Sequence, residues 1–126
     1  MIVLFLGVLS GMPFWFAIVH GRDEAAVRAW RVAHSTLIVC GLVMLVVSLI
    51  SPQLALSREL RSLLAWFFVA SGYGFVFALV VGAWMGRRGL TPWPVGVNTL
   101  LFSGHLIGAV GAFLGMCVVL YGLLYK

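Results

Sequence analysis

The sequence predicts an all-α integral membrane protein, a bundle of four membrane-spanning helices. Three observations predict this fold: 63% of the 126 residues are hydrophobic, only 9% are charged, and four long stretches are almost free of charge. Soluble domains carry about 25% charged residues, so this chain has too few to cover a surface that faces water. We therefore predict a single membrane domain, residues 1–126, that is a multi-pass protein of the cell inner (plasma) membrane.

The four helices are predicted at about residues 1–19, 27–50, 62–86 and 97–125. Each is close to or above the length of about 20 residues that spans a bilayer. The first segment lacks a basic start and a small-residue cleavage site, so we predict a retained helix and not a signal peptide. Asp23 suits an N-cap of the second helix, and Pro52 ends that helix.

Basic residues are concentrated near the helix ends and in the connections. The first and third connections carry more of them than the opposite end of the bundle: Arg22, Arg28, Arg31, Arg87 and Arg88 against Arg58, Arg61 and Lys126. The positive-inside rule then favours a cytoplasmic position for the first and third connections. The net charge of +5 forms no basic face, so nucleic acid is excluded as a partner and the lipid bilayer is the predicted one.

Acidic residues are absent from the four apolar segments, since Asp23, Glu24 and Glu59 all lie outside them. Paired-carboxylate catalysis and a Ser-His-Asp triad are therefore excluded inside the bundle. Cys40 and Cys117 lie in apolar runs without CxxC spacing, so we interpret them as packing residues that form no disulfide.

His34 is the residue around which we interpret the site. It follows RAWRVA and begins an almost uncharged run, so its imidazole is expected just below the headgroups. Titratable groups at membrane depth are costly and usually functional. Haem offers an iron that binds imidazole, a macrocycle that suits apolar walls and propionates that bind arginine. We predict that His34 is an axial ligand of haem iron. We predict that the propionates bind four arginines: Arg28, Arg31, Arg87 and Arg88.

The alternative for a membrane histidine is a hydrogen bond to a neighbouring carbonyl, and arginines at a helix entrance also suit ordinary topology signals. His105, in the fourth helix, is a candidate second iron ligand or a residue on the open side of the iron. His20 is interpreted as an interfacial residue. Small residues in the fourth helix suit close approach of a flat ring or, alternatively, of another helix. The predicted pocket residues are Trp30, Cys40, Ser71, Tyr73, Gly104 and Gly108.

The run WRVAHS, followed by a helix, a short connection and RGLTP, resembles the styrene oxide isomerase family of small four-helix membrane proteins. The spacing from His34 to Arg88 matches without a gap, and the resemblance is best over Trp30–Thr91. It implies a haem b protein with His34 as the proximal ligand, assembled as a homo-trimer with haem near the subunit contacts. The implied reaction is the opening of an epoxide to an aldehyde by ferric iron that acts as a Lewis acid.

Three positions depart from the pattern of that family. Cys40 stands where the family has asparagine, Ser71 where it has aspartate and Leu79 where it has tyrosine. These groups shape and polarise the epoxide pocket, so isomerase activity is an open question for this chain. His105 stands where the family has an apolar residue, and a second imidazole on the iron would suit electron transfer and oppose substrate coordination.

Three functions are therefore compatible with the sequence. The first is a haem-dependent isomerase of an epoxide-like or other small apolar substrate. The second is a bis-histidine membrane cytochrome for electron transfer or for haem or gas sensing. The third is a cofactor-free helper subunit whose glycine faces dock onto partner helices. A visible absorption spectrum separates the third from the other two, because only a haem protein has a Soret band.

Overall fold

The computed structural model describes residues 1–125. Lys126, which the orientation prediction included, lies outside these residues. Within them, four helical spans are long and apolar enough to cross a membrane: Ile2–Val19, Glu24–Gln53, Arg58–Trp84 and Val97–Leu124. The predicted four-helix membrane bundle is confirmed.

The first span consists of two helices, α1 (Ile2–Leu9) and α2 (Gly11–Val19). Pro13 has no N–H with which to bond the carbonyl one turn earlier, and its ring crowds that carbonyl, so the helix breaks. The break leaves Gly7 in the last turn of α1, where carbonyls lose their partners within the helix. The hydroxyl of Ser10 donates to the Gly7 carbonyl at 2.6 Å. The Gly7 carbonyl thus becomes an acceptor for side chains.

The second span is α3 (Glu24–Ile50), which begins earlier than the predicted start at residue 27. The Asp23 carboxylate accepts a hydrogen bond from the Ala26 N–H at 3.1 Å, so the predicted N-cap is confirmed. A short 3₁₀ turn, Ser51–Gln53, continues the span and contains Pro52.

The third span contains a feature that the sequence did not predict. It runs through α4 (Arg58–Val76), a π-helical segment (Phe77–Val81) and the short α5 (Gly82–Trp84). A π segment widens the helix locally and is frequent at functional sites. The fourth span is one uninterrupted helix, α6 (Val97–Leu124).

The helices pack as two pairs that α3 joins. The first pair is α1 and α2 against α3, the second is α4 against α6, and α3 also contacts α4. Glycine brings α1 and α3 into backbone contact, since a Cβ on Gly7 would lie only 2.8 Å from the Ile38 nitrogen. This close approach holds the Gly7 carbonyl in front of α3.

The glycine-rich face of α6 packs against the third span. A Cβ on Gly104 would lie 3.0 Å from the Gly74 carbonyl oxygen, and a Cβ on Gly108 would lie 2.8 Å from the Phe75 ring. These contacts fill the face of α6 whose small residues suit either a flat ring or another helix. They fit the alternative interpretation, which is helix packing.

Apolar side chains cover the outside of the bundle as well as its centre. Leu37, Leu64 and Leu101 are fully buried, whereas Trp66, Phe113 and many other large apolar residues are exposed. Such a surface suits contact with lipid hydrocarbon, as in other membrane-spanning bundles. The chain is therefore a multi-pass membrane protein.

Candidate functional site

His34 lies on the side of α3 that faces the first span. Its Nδ1 lies 2.9 Å from the carbonyl oxygen of Gly7. Because a carbonyl can only accept, Nδ1 carries the proton and donates, and in the neutral ring Nε2 keeps its lone pair. Nε2 has no hydrogen-bond partner among residues 1–125. Histidines that bind metals almost always donate their other N–H in this way, so this hydrogen bond is compatible with a metal ligand and equally with the alternative of a carbonyl-bonded histidine.

Helix α2 fixes the His34 ring by packing. A Cβ on Gly11 would lie 3.0 Å from Cε1 and 3.1 Å from Nδ1 of His34, so the imidazole occupies the space that a side chain would fill. The ring of Phe14 stacks on the imidazole with 6.0 Å between centroids. The guanidinium carbon of Arg31 lies 5.8 Å from the centre of the Phe14 ring. The predicted ligand and one predicted propionate partner are therefore neighbours.

A cleft of about 870 Å³ opens beside Gly11, between the first span, α3 and α5. This volume is in the range of small-molecule sites, about 300–1,000 Å³. Trp15 and Trp84 are 63% and 81% exposed, so the cleft is open on one side. Its lining is apolar and aromatic with one cation: Val8, Gly11, Met12, Pro13, Trp15, Phe16, Arg22, Trp30 and Trp84. The cleft suits a large, flat, apolar ligand with an anionic edge.

His105 belongs to a second, smaller cavity. Its Nε2 lies 3.1 Å from the carbonyl oxygen of Arg88, and its Nδ1 is buried without a hydrogen-bond partner among the described residues. The cavity has a volume of about 210 Å³ and lies between α3, the third span and the connection that follows it. Besides His105, its lining residues are Arg28, Ala29, Val32, Ala78, Leu79, Ala83, Arg87, Arg88 and Leu90.

His34 and the cavity of His105 lie on different sides of α3. Successive residues turn an α-helix by about 100°, so Val32 of the smaller cavity and His34 lie roughly 200° apart around the helix axis. A single chain therefore does not bring His34 and His105 to one iron. The predicted arginine set is divided in the same way. Arg31 lies on the His34 side, whereas Arg28, Arg87 and Arg88 line the cavity of His105.

A family model described as styrene oxide isomerase matches residues 1–124. The chain belongs to the styrene oxide isomerase family. The resemblance noted over Trp30–Thr91 is thus confirmed and extends over nearly the whole chain. Comparisons with curated proteins and with solved structures gave no match.

The three positions that depart from the pattern of the styrene oxide isomerase family lie away from the large cleft. Cys40 and Ser71 line a cavity of about 130 Å³ between α3, α4 and α6. The Ser71 hydroxyl is buried and donates to the Gly108 carbonyl at 2.7 Å. Leu79 lines the cavity of His105. In one chain, these positions do not contribute a polar group to the cleft beside His34.

The other predicted residues have simpler places. Trp30 lines the large cleft, whereas Tyr73 is about half exposed on the bundle surface. The Nδ1 of His20 lies 3.1 Å from the carbonyl oxygen of Phe16. The imidazole of His20 also stacks on the Phe16 ring at 3.8 Å between centroids. His20 therefore lies apart from His34, as its interpretation as an interfacial residue implies.

Sequence reasoning missed several residues that form the site. Gly7, Gly11 and Phe14 position His34, and Trp84 and Arg22 line the cleft. One signal was available, because two glycines four residues apart form a small-residue pattern of the kind that admits close helix contacts. The contribution of Trp84 has no such signal, since it depends on how the third span packs.

Proposed function

We propose that this member of the styrene oxide isomerase family binds haem b with His34 as an axial ligand, and that it catalyses the isomerisation of a small apolar substrate such as an epoxide. The observation that carries the proposal is the orientation of His34, whose Nδ1 is held by the Gly7 carbonyl while Nε2 has no partner in the described part of the chain. Haem, when bound, would supply a Lewis-acidic iron.

The residues of the cleft fit this prosthetic group. No set of three or more His, Cys, Asp or Glu side chains gathers into a metal site among the described residues, so a metal held here would depend on a group that brings ligands of its own. His34 is not among the residues that line the cleft, but its imidazole packs against Gly11, which is, and it offers the one imidazole that such a group needs. Trp15, Trp30 and Phe16 offer apolar walls, and Arg22 is a cation at the same cleft. We propose Arg22 and Arg31 as the partners of the propionates.

The tautomer of His34 is set by Gly7. A proton kept on Nδ1 by the carbonyl leaves the lone pair of Nε2 free to bind an iron. Gly11 and Phe14 limit rotation of the ring. These contacts hold the imidazole in one orientation before any ligand binds.

The side chains that line the cleft are compatible with an isomerisation, which needs no general base overall. Arg22 and the indole N–H groups only donate hydrogen bonds, and no carboxylate or histidine is among the lining residues described. A general base of the protein is therefore missing from the cleft walls. The conversion of an epoxide to a carbonyl compound needs none overall, because all atoms remain in the product. The aromatic walls would bind the apolar part of the substrate and exclude water.

The cleft is open on one side, and this is relevant to whether several copies of the chain assemble. Trp15 and Trp84 present large exposed aromatic surfaces at its rim, and a cleft of this kind is completed by lipid or by a second copy of the chain. We propose a homo-oligomer, a trimer by family resemblance, in the cell inner membrane.

The first test is the visible spectrum of the protein purified in detergent after growth with a haem precursor. We expect a Soret band and about one haem per chain, since each chain supplies one His34. After reduction, carbon monoxide should shift the band readily, because the proposal gives the iron no second protein ligand. A preparation without a Soret band would overturn the proposal.

His105→Ala tests the bis-histidine alternative directly. Because His105 faces the other side of α3, we expect this variant to keep its haem and the position of its Soret band. The measurement is the spectrum of the ferric protein, with thermal unfolding as the check on folding. A change from a low-spin to a high-spin spectrum would place His105 on the iron and contradict the proposed open site.

A further inference from the structure

The cavity of His105 contains polar groups that the proposed function does not use. Three arginines, Arg28, Arg87 and Arg88, line one part of it, and the rest of its lining is apolar apart from His105 itself. Its volume of about 210 Å³ is below the range of about 300–1,000 Å³ for sites that enclose drug-sized ligands. The cavity is thus too small for a macrocycle and large enough for a polar headgroup.

The backbone that carries Arg87 and Arg88 turns at two glycines and is held by two hydrogen bonds. Gly86 and Gly89 have φ of 64° and 60°, a conformation that glycine adopts without strain. The Arg87 N–H donates to the Gly82 carbonyl at 2.8 Å, and the Arg88 carbonyl accepts from His105 Nε2. The chain therefore turns back sharply after α5 and is held against the bundle with both arginines at the cavity.

Positive charge at this cavity exceeds the negative charge beside it. Arg28 pairs with Glu24 at 2.6 Å, with side chains that are 54% and 85% exposed, and such exposed pairs are weak. That pair is the one salt bridge within residues 1–125, so neither Arg87 nor Arg88 has a carboxylate partner there. Three guanidinium groups share one exposed carboxylate, an arrangement that attracts an anion.

His105 adds a second chemical requirement. With Nε2 donating to the Arg88 carbonyl, the neutral ring leaves Nδ1 as an acceptor, and this atom is buried without a partner within residues 1–125. Buried polar atoms are nearly always satisfied. A ligand that carries both a phosphate and a hydroxyl would meet the arginines with the first and His105 with the second.

We propose that this cavity binds the headgroup of an anionic, hydroxyl-bearing phospholipid, of which phosphatidylglycerol is the simplest. Val32, an exposed apolar residue of the second span, lines the cavity, so the acyl chains would lie beside it. Basic pockets between membrane helices are a known way of recognising anionic headgroups. The site is separate from the cleft of His34 and does not depend on haem.

The test uses the full-length protein, freed of lipid in a neutral detergent and titrated with phosphatidylglycerol or phosphatidylcholine, with bound lipid measured by native mass spectrometry. We expect one tightly bound phosphatidylglycerol and at least about tenfold weaker binding of phosphatidylcholine. The double variant Arg87→Gln, Arg88→Gln should lose at least about tenfold in affinity for phosphatidylglycerol. The double replacement by lysine should recover most of it.

Arg58→Gln is the matched control, because it removes one charge at the start of α4, on the second connection. It should bind phosphatidylglycerol as the natural protein does, and thermal unfolding without lipid checks the fold of each variant. His105→Phe, which keeps a planar ring, should bind phosphatidylglycerol about three- to tenfold more weakly because the hydroxyl loses its acceptor and the Arg88 carbonyl loses its donor.

Four outcomes would overturn the proposal. The first is equal binding of the two lipids, and the second is an Arg58→Gln variant that binds as weakly as the double variant. The third is displacement of the lipid by millimolar inorganic phosphate, which would indicate a site for the free anion. The fourth is loss of haem together with lipid in the double glutamine variant, which would assign these arginines to the propionates. None of these results tests His34, so the two proposals fail separately.

Discussion

His34→Ala should bind haem at least about a hundredfold more weakly than the natural protein. Loss of a mere hydrogen-bond partner of a metal ligand typically costs about 10- to 100-fold in affinity, and this substitution removes the proposed ligand itself. The Gly7 carbonyl would also lose its donor across the α1–α3 contact. The measurement is haem per chain, from the absorbance of the pyridine complex after purification in detergent.

His20→Ala is the matched control for that experiment. His20 ends the first span, and its imidazole is engaged only with Phe16, so its removal should leave the haem content unchanged. Free imidazole added to His34→Gly should restore the Soret band, which distinguishes loss of a ligand from loss of the fold. A His34→Ala protein with a full complement of haem would show that the iron is bound elsewhere.

The fold could be predicted from hydropathy because one physical requirement decides it. A backbone in hydrocarbon must satisfy its hydrogen bonds internally, so a long apolar segment must be a helix. The four spans follow directly, and the predicted cap at Asp23 follows from the shortage of partners at a helix start. The π segment at Phe77–Val81 does not follow, since its residues are ordinary helix formers in lipid and its geometry depends on tertiary packing.

The grouping of the site residues could not be predicted in the same way. Spacing along α3 places Arg28 and Arg31 near one another on the helix, yet their long side chains diverge, one toward Glu24 and the other toward Phe14. Sequence periodicity gives the face of a helix on which a residue lies. It does not give the neighbour that this face meets, and that neighbour decides what an arginine can bind.

The effect of Pro13 on its own helix can be predicted from the sequence, but its consequence for the site cannot. Its effect on the first span is predictable, but the carbonyl that the broken helix makes available belongs to Gly7, which bonds a histidine 27 residues away in the chain. Only the packing of α1 on α3 makes this connection. The stability of that helix pair and the orientation of the proposed ligand are therefore coupled.

Gly41→Ala tests this coupling. A Cβ on Gly41 would lie 2.5 Å from the Cα and 2.7 Å from the backbone nitrogen of Leu4, so no side-chain rotation relieves the clash and α1 must move away. We expect a loss of about 1–3 kcal/mol in the free energy of unfolding, the usual cost of overpacking. Because the displaced α1 carries Gly7, haem should also bind more weakly. Thermal unfolding followed by tryptophan fluorescence and the haem content of the same sample measure both effects.

Val39→Ile is the control, since it adds one carbon to an exposed side chain of the same helix and should change neither quantity. If Gly41→Ala unfolds at the natural temperature, α1 and α3 are not in backbone contact. If it unfolds at a lower temperature but binds haem as tightly and with the same spectrum, the Gly7 carbonyl does not orient His34. Loss of both together is the result that a ligand positioned by helix packing requires, because the same displacement that relieves Leu4 withdraws the acceptor from Nδ1.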